Sequence, residues 1–157
     1  MKTRAILAVV LLSALLAFPI PLVAEAFAAG EGAPVPFTPV SRGSHGGVTE
    51  RRFVLVNALE EWKELWIEIK GCVAPVPPVP EVDFSRQVIA AVFQGLQRSG
   101  GYSISVEAII ETVDRVEVEV REKEPGPRSL VTMALTSPWE AVAFPRPTKP
   151  VLFTSAP

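Results

Sequence analysis

The run Val88-Ile89-Ala90-Ala91-Val92-Phe93 decides the fold of this chain. It is apolar at every position and too short for a typical helix. An unbroken apolar run of this length reads as a strand covered on both faces. Downstream, Gln97-Arg98-Ser99-Gly100-Gly101 is a turn. Tyr102, Ile104, Val106, Ala108 and Ile110 then alternate with Ser103, Ser105, Glu107 and Glu111, the pattern of a half-buried strand. Thr112 to Asp114 allows a reversal. Val116, Val118 and Val120 alternate with Arg115, Glu117, Glu119 and Arg121, giving a second strand with one charged face. Pro125-Gly126-Pro127 marks another turn. Further strands are expected over Leu130 to Leu135, over Trp139 to Phe144 and, short and at an edge, over Val151-Leu152-Phe153.

Upstream of the run, Phe53 to Val56 reads as a short buried strand, followed by a helix over residues 58–70. Leu59, Trp62, Trp66 and Ile69, with Leu65 beside them, form one apolar face; Glu60, Glu61, Lys63, Glu64 and Lys70 lie mainly on the other. The two tryptophans are expected to pack against a sheet rather than present a ligand platform. Asn57 is the expected cap, with Glu60 reaching back to it, and Gly71 the expected stop. Pro75, Pro77, Pro78 and Pro80 remove so many amide donors that residues 74–80 cannot be a central strand; a stiff extended connector is expected. Short connections favour antiparallel pairing. The fold class is α+β: a small, mostly antiparallel sheet or partly open barrel of about six strands with one covering helix.

The ends of the chain read differently. Lys2 and Arg4 precede an uncharged run from Ala5 to Phe18, Pro19 and Pro21 close it, and small residues follow at Ala24, Ala26 and Ala28. That is the layout of a secretory signal peptide over residues 1–28, cut after Ala28, with Ala26 as the alternative cut. An uncleaved anchor is the competing reading, since the apolar stretch approaches the roughly 20 residues that span a bilayer. Cleavage implies an extracytoplasmic chain with no stable membrane insertion. Residues 29–48, rich in Gly, Pro, Ser and Ala, read as a flexible linker that carries the solvated His45, and residues 49–157 as one domain.

Composition narrows the function. The 157 residues hold 15 Lys and Arg, 17 Asp and Glu, one His and one Cys. The net charge is −2 and becomes −3 once Lys2, Arg4 and Glu25 leave with the leader, so nothing favours nucleic-acid binding. No multi-histidine or cysteine-based metal site is available, and no cofactor motif is present. Cys72 is expected to be buried as a small hydrophobe. A nucleophile, base and acid need to converge for hydrolytic catalysis, and His45 is the sole imidazole. Glu117 and Glu119 lie on a charged strand face, the usual solvated surface. The chain therefore reads as non-enzymatic. Its most informative turn is Arg98-Ser99-Gly100-Gly101-Tyr102, five residues that stand as the candidate partner-binding set because loops on a rigid sheet are where binding residues concentrate. A purely architectural role for the two glycines is the alternative.

These residues carry a family resemblance. Ser99-Gly100-Gly101-Tyr102-Ser103-Ile104, the preceding Val88 to Gly95, the turn Pro125-Gly126-Pro127, and Val131 to Pro138 with Val142 and Pro145-Arg146 resemble the C-terminal domain of the PrcB family, protease complex-associated polypeptides. The similarity covers about residues 86–147, with Ser99 where the family usually has Thr. It implies an exported, non-catalytic protein that associates with a protease or its precursor and stabilises the assembly. A more distant similarity, to chagasin-like cysteine-protease inhibitors, rests on Gly101-Tyr102 alone and implies inhibition through the 97–102 loop. A structural or ligand-binding envelope domain is the third reading.

Overall fold

A computed structural model describes residues 32–71 and 73–156. The expected leader, its cut after Ala28 and the expected burial of Cys72 fall outside the described residues. The chain runs β1 (Ala33–Pro34), β2 (Thr38–Gly43), β3 (Arg52–Val56), α1 (Leu59–Lys70), β4 (Gln87–Phe93), β5 (Ser103–Glu111), β6 (Val116–Lys123), β7 (Trp139–Pro145) and β8 (Val151–Ser155). The strands form two four-stranded sheets, ordered β1-β5-β6-β8 and β2-β7-β4-β3. They are separate sheets, not a closed barrel. Every pairing is antiparallel except β6 with β8. That exception arises because the chain leaves β6, crosses to the other sheet as β7, and returns.

The sheet β2-β7-β4-β3 is the middle layer, which is why β4 has no polar face. Ile89, Ala91 and Phe93 point to one side with Trp139, Ala141 and Ala143, and there meet Trp62, Leu65, Trp66 and Ile69 of α1. Val88, Ala90 and Val92 point to the other side with Val142 and Phe144, and meet Ile104, Val106, Ile109, Val116, Val118 and Val120 of the outer sheet. Small residues at Ala91, Ala141 and Ala143 leave room for the helix's two indoles. Trp62 and Trp66 pack 5.5 Å apart, and Trp66 meets Trp139 edge-on at 6.2 Å. Each helix indole also donates to the proline connector, Trp62 Nε1 to Pro80 O at 3.1 Å and Trp66 Nε1 to Pro77 O at 2.9 Å. Buried indole N–H groups need such partners, and proline carbonyls supply acceptors on a segment poor in donors. The connector is thus pinned to the helix as a strap.

Four sequence expectations are corrected. Residues 29–48 are not wholly a linker: β1 and β2 lie there, and Val48 is buried in the core. Pro39 is tolerated because β2 is an edge strand with a register shift between Pro39 and Ser41. Gly43 sits where an added Cβ would lie 2.9 Å from Trp139 Nε1, so its lack of a side chain is a packing requirement. His45 is exposed as expected, but its carbonyl accepts from Trp139 Nε1 at 3.3 Å. Secondly, the helix cap is displaced by one residue. Ala58 is the cap without a side-chain bond, Glu61 accepts the Asn57 amide at 2.9 Å, and Glu60 instead pairs with Lys63 at 2.8 Å.

The third correction concerns phase. A bulge between Val106 and Ala108 shifts β5, so Ile109 is buried where alternation expects Ala108 and Ile110. The fourth is that Leu130 to Leu135 is not a strand. Its backbone bonds instead to the turn after β4, through Gly100 N to Thr132 O and the Gln97–Thr136 bridge.

Candidate functional site

The turn after β4 is tied into one end of the molecule by backbone bonds. Gln94 N donates to Pro138 O at 3.0 Å, and Leu96 N to Thr49 O at 2.9 Å. Gln97 and Thr136 exchange both bonds of a bridge, at 2.7 and 3.0 Å, and Gly100 N donates to Thr132 O at 2.9 Å. Thr136 Oγ1 adds a bond to Ser99 O at 2.8 Å. Residues 97–100 and 132–136 therefore form an irregular two-stranded ribbon.

Glycine is required where the two arms touch. Gly101 has φ +87°, and a Cβ there would lie 2.9 Å from Val131 Cγ1 and 3.0 Å from Pro125 Cβ. A Cβ on Gly100 would collide with Thr132 Oγ1. Both glycines thus serve the joining of the loops. Of the five candidate residues, Arg98 and Gly101 are exposed, while Ser99, Gly100 and Tyr102 are half-buried. Tyr102 lines a cleft of about 520 Å³ together with Arg42 and Ser44 from the β2 end and Ser103 of β5. Glu140 forms part of that cleft and is 6% exposed; its Oε2 accepts the Val106 amide at 2.8 Å.

The sequence reading missed the side chains that dominate this end. Leu130 (104% exposed), Met133 (95%) and Leu135 (61%) project from the second arm, and Leu96 is exposed beside the first. Arg98 and Arg128 are exposed on the same loops. The apolar run itself is the signal. Taken for a strand, it finds no sheet, and its large side chains remain in water. Several large apolar residues exposed on adjoining loops are uncommon unless something covers them. Among the described residues, no group of three or more His, Cys, Asp or Glu is placed to hold a metal ion. The groups whose titration is displaced lie elsewhere. Asp83 is held below its ordinary value chiefly by the Ser85 hydroxyl, and Arg115 above its own by Glu117. What this end offers is a surface of exposed apolar and cationic groups backed by hydrogen-bonded loops.

This end lies within the stretch that matches a known family. Residues 88–145 match the family model described as PrcB C-terminal. The match is the one expected from Ser99-Gly100-Gly101-Tyr102 and its flanks, and it covers well under half of the 157 residues. The PrcB C-terminal stretch opens one residue into β4 and ends with β7. It supplies the central pair of each sheet, β4 with β7 and β5 with β6, and both arms of the ribbon. The helix and the strands β1, β2, β3 and β8 lie outside the PrcB C-terminal match. No curated protein and no solved structure matches the chain.

Proposed function

We propose that this chain is an exported, non-catalytic binding module that associates with a secreted protease or its precursor and stabilises that assembly. The observation that carries the reading is a coincidence of position. The PrcB C-terminal match at residues 88–145 contains the ribbon on which Leu96, Leu130, Met133 and Leu135 are exposed. The ribbon is held at several points to the sheets behind it, so its apolar side chains reach a partner with little ordering left to do, which favours affinity. Arg98 and Arg128 border the apolar groups and fit a partner surface that is apolar at its centre and acidic at its rim. The leader read over residues 1–28 supports an encounter outside the cytoplasm, and the scarcity of His and Asp supports a module that leaves the chemistry to its partner.

The test uses the secreted chain, whose mass gives its first residue; Ala29 is expected. Immobilised, it is exposed to the exported proteins of the producing organism, and retained proteins are identified and assayed for peptide hydrolysis. A protease or precursor is expected on the native chain and depleted on a Leu130→Asp, Met133→Asp variant. Absence of any protease, or equal retention by both chains, overturns the proposal. The retained protease should stay active; a slowed one would convert the module into an inhibitor.

A further inference from the structure

Among the described residues, the two sheets leave several strand edges without a partner strand, and most are blocked. On the middle sheet, β2 carries Pro39 and a register shift. On the outer sheet, β1 is two residues long and ends in Pro34. The part of β5 that β1 leaves uncovered has its Val106 amide taken by Glu140. Such devices keep edges from pairing with other chains. β3 lacks them. It pairs with β4 in unbroken register from Arg52↔Phe93 to Val56↔Ile89, has no proline, and has no strand on its other side among the described residues. β8 is also free, but the helix lies on the other sheet, so no wall stands over it.

Beside β3, the helix supplies such a wall. A groove of about 410 Å³ runs between them, with Val54, Val56 and Leu65 as its apolar floor. Glu61, Glu64 and Glu68 of α1 line it against a single cation, Arg52, which pairs with Glu68. The groove is therefore acidic by formal charge. The opposite face of β3 is apolar: Phe53 and Leu55 are half-buried there, and Phe53 meets Phe153 of β8 at 5.6 Å.

We propose that the free edge of β3 docks an extended partner segment in which Lys or Arg alternates with apolar residues. Strand addition draws its affinity from main-chain bonds and its specificity from alternate side chains. Those on the helix side cross Val54 and Leu65 with their aliphatic stems and bring their charges to Glu64 and its neighbours, the division of labour long cationic side chains favour. Those on the other side lie against Phe53, Leu55 and Phe153. This site is separate from the loop ribbon, and it stands or falls independently of the protease reading.

The probe is a fluorescent octapeptide of alternating Val and Lys, titrated into the secreted chain. Saturable binding is expected, weakening as salt rises, with amide exchange slowed within Arg52–Val56. Glu64→Lys lies on an exposed helix position, so the variant folds, and it should bind about fivefold or more weakly. A peptide of alternating Val and Glu should not bind. A Val–Lys peptide N-methylated on one edge loses its main-chain donors and should fail without any change to the protein. Equal binding of the N-methylated peptide, indifference to Glu64→Lys, or protection that spares β3 overturns the proposal.

Discussion

Glu140 of β7 accepts the backbone amide of Val106 in β5 across the interface of the two sheets, at 2.8 Å. Both residues are buried. The contact falls where β5 has run past the end of β1 and is one residue from its bulge. The side chain of one sheet therefore stands in for the strand that the other sheet lacks. Replacing Glu140 with Leu leaves the Val106 donor buried without a partner, at a cost of about 1–3 kcal/mol. Glu140→Gln keeps an acceptor and should cost less. Urea unfolding measures the difference, and faster exchange of the Val106 amide in the Leu variant would locate it.

Gly101→Val asks whether the glycine turn is architecture. The residue has φ +87°, and its Cβ would meet Val131 and Pro125. A β-branched side chain there should destabilise by about 1–3 kcal/mol. Leu130→Ser and Met133→Ser should change stability by under about 0.5 kcal/mol, because both side chains already stand in water. Thermal or urea unfolding of the three variants separates the joint of the ribbon from the surface it presents. A Gly101→Val chain as stable as the native one would mean the loop has room to re-form.

Trp62 is fully buried between the helix and the middle sheet, with its indole nitrogen on Pro80 O. Trp62→Ala should cost about 3–5 kcal/mol through the cavity it leaves. Trp62→Phe retains much of the ring but leaves the Pro80 carbonyl without its donor, a loss nearer 1 kcal/mol. Tryptophan fluorescence can follow unfolding of both variants, since Trp66 and Trp139 remain. A small effect of the Ala variant would show that the proline strap closes over the gap.

The elements most legible in the sequence were those whose burial is symmetric or strictly alternating. β4, β6 and α1 announce themselves by apolar runs or periods, and the layers on either side of β4 follow from Val88 to Phe93. What escaped depends on contacts far along the chain. Thr38–Gly43 looks like linker because its Pro and Gly are common in loops; they are present because β2 is an edge and because Trp139, remote in sequence, fills the space beside Gly43. The bulge in β5 leaves no local mark, and it moves burial from Ala108 and Ile110 to Ile109. Leu130 to Leu135 has the composition of a strand, but its backbone meets the 97–100 turn and not a sheet edge. At the candidate site, the glycine turn was legible, and the exposed leucines opposite it were not, since period alone cannot say which apolar run is left in solvent.

Asp83 accepts from both the hydroxyl and the amide of Ser85, at 2.5 and 3.0 Å, and these bonds hold its carboxyl below the ordinary value. A carboxyl depressed in the folded state stabilises fully above its unfolded value, and the contribution is lost as pH falls through the folded one. The turn should therefore loosen on the acid side of the usual carboxylate range. Ser85→Ala removes the hydroxyl bond, the larger cause, so the Asp83 carboxyl should titrate at higher pH, as carboxyl carbon shifts can follow. An unmoved titration would show that the amide alone sets it.

The boundary of the domain is testable by truncation. A chain beginning at Thr49 lacks β1, β2 and Val48. It would leave β7, now central, as an edge carrying Trp139, and would remove the Gly46 carbonyl that the Ser137 hydroxyl donates to at 2.6 Å. Ser137 N would also lose Ser44 O, its acceptor at 2.9 Å. Uncovering a long apolar edge exposes a template for pairing with other chains. The truncated chain should aggregate or unfold at lower denaturant than one beginning at Ala29, by several kcal/mol if β2 is removed whole, in line with losing a buried element rather than a tail. Size-exclusion chromatography and urea unfolding of the two chains decide it. Equal stability would return residues 29–48 to the status of a linker and would require β7 to be protected by other means.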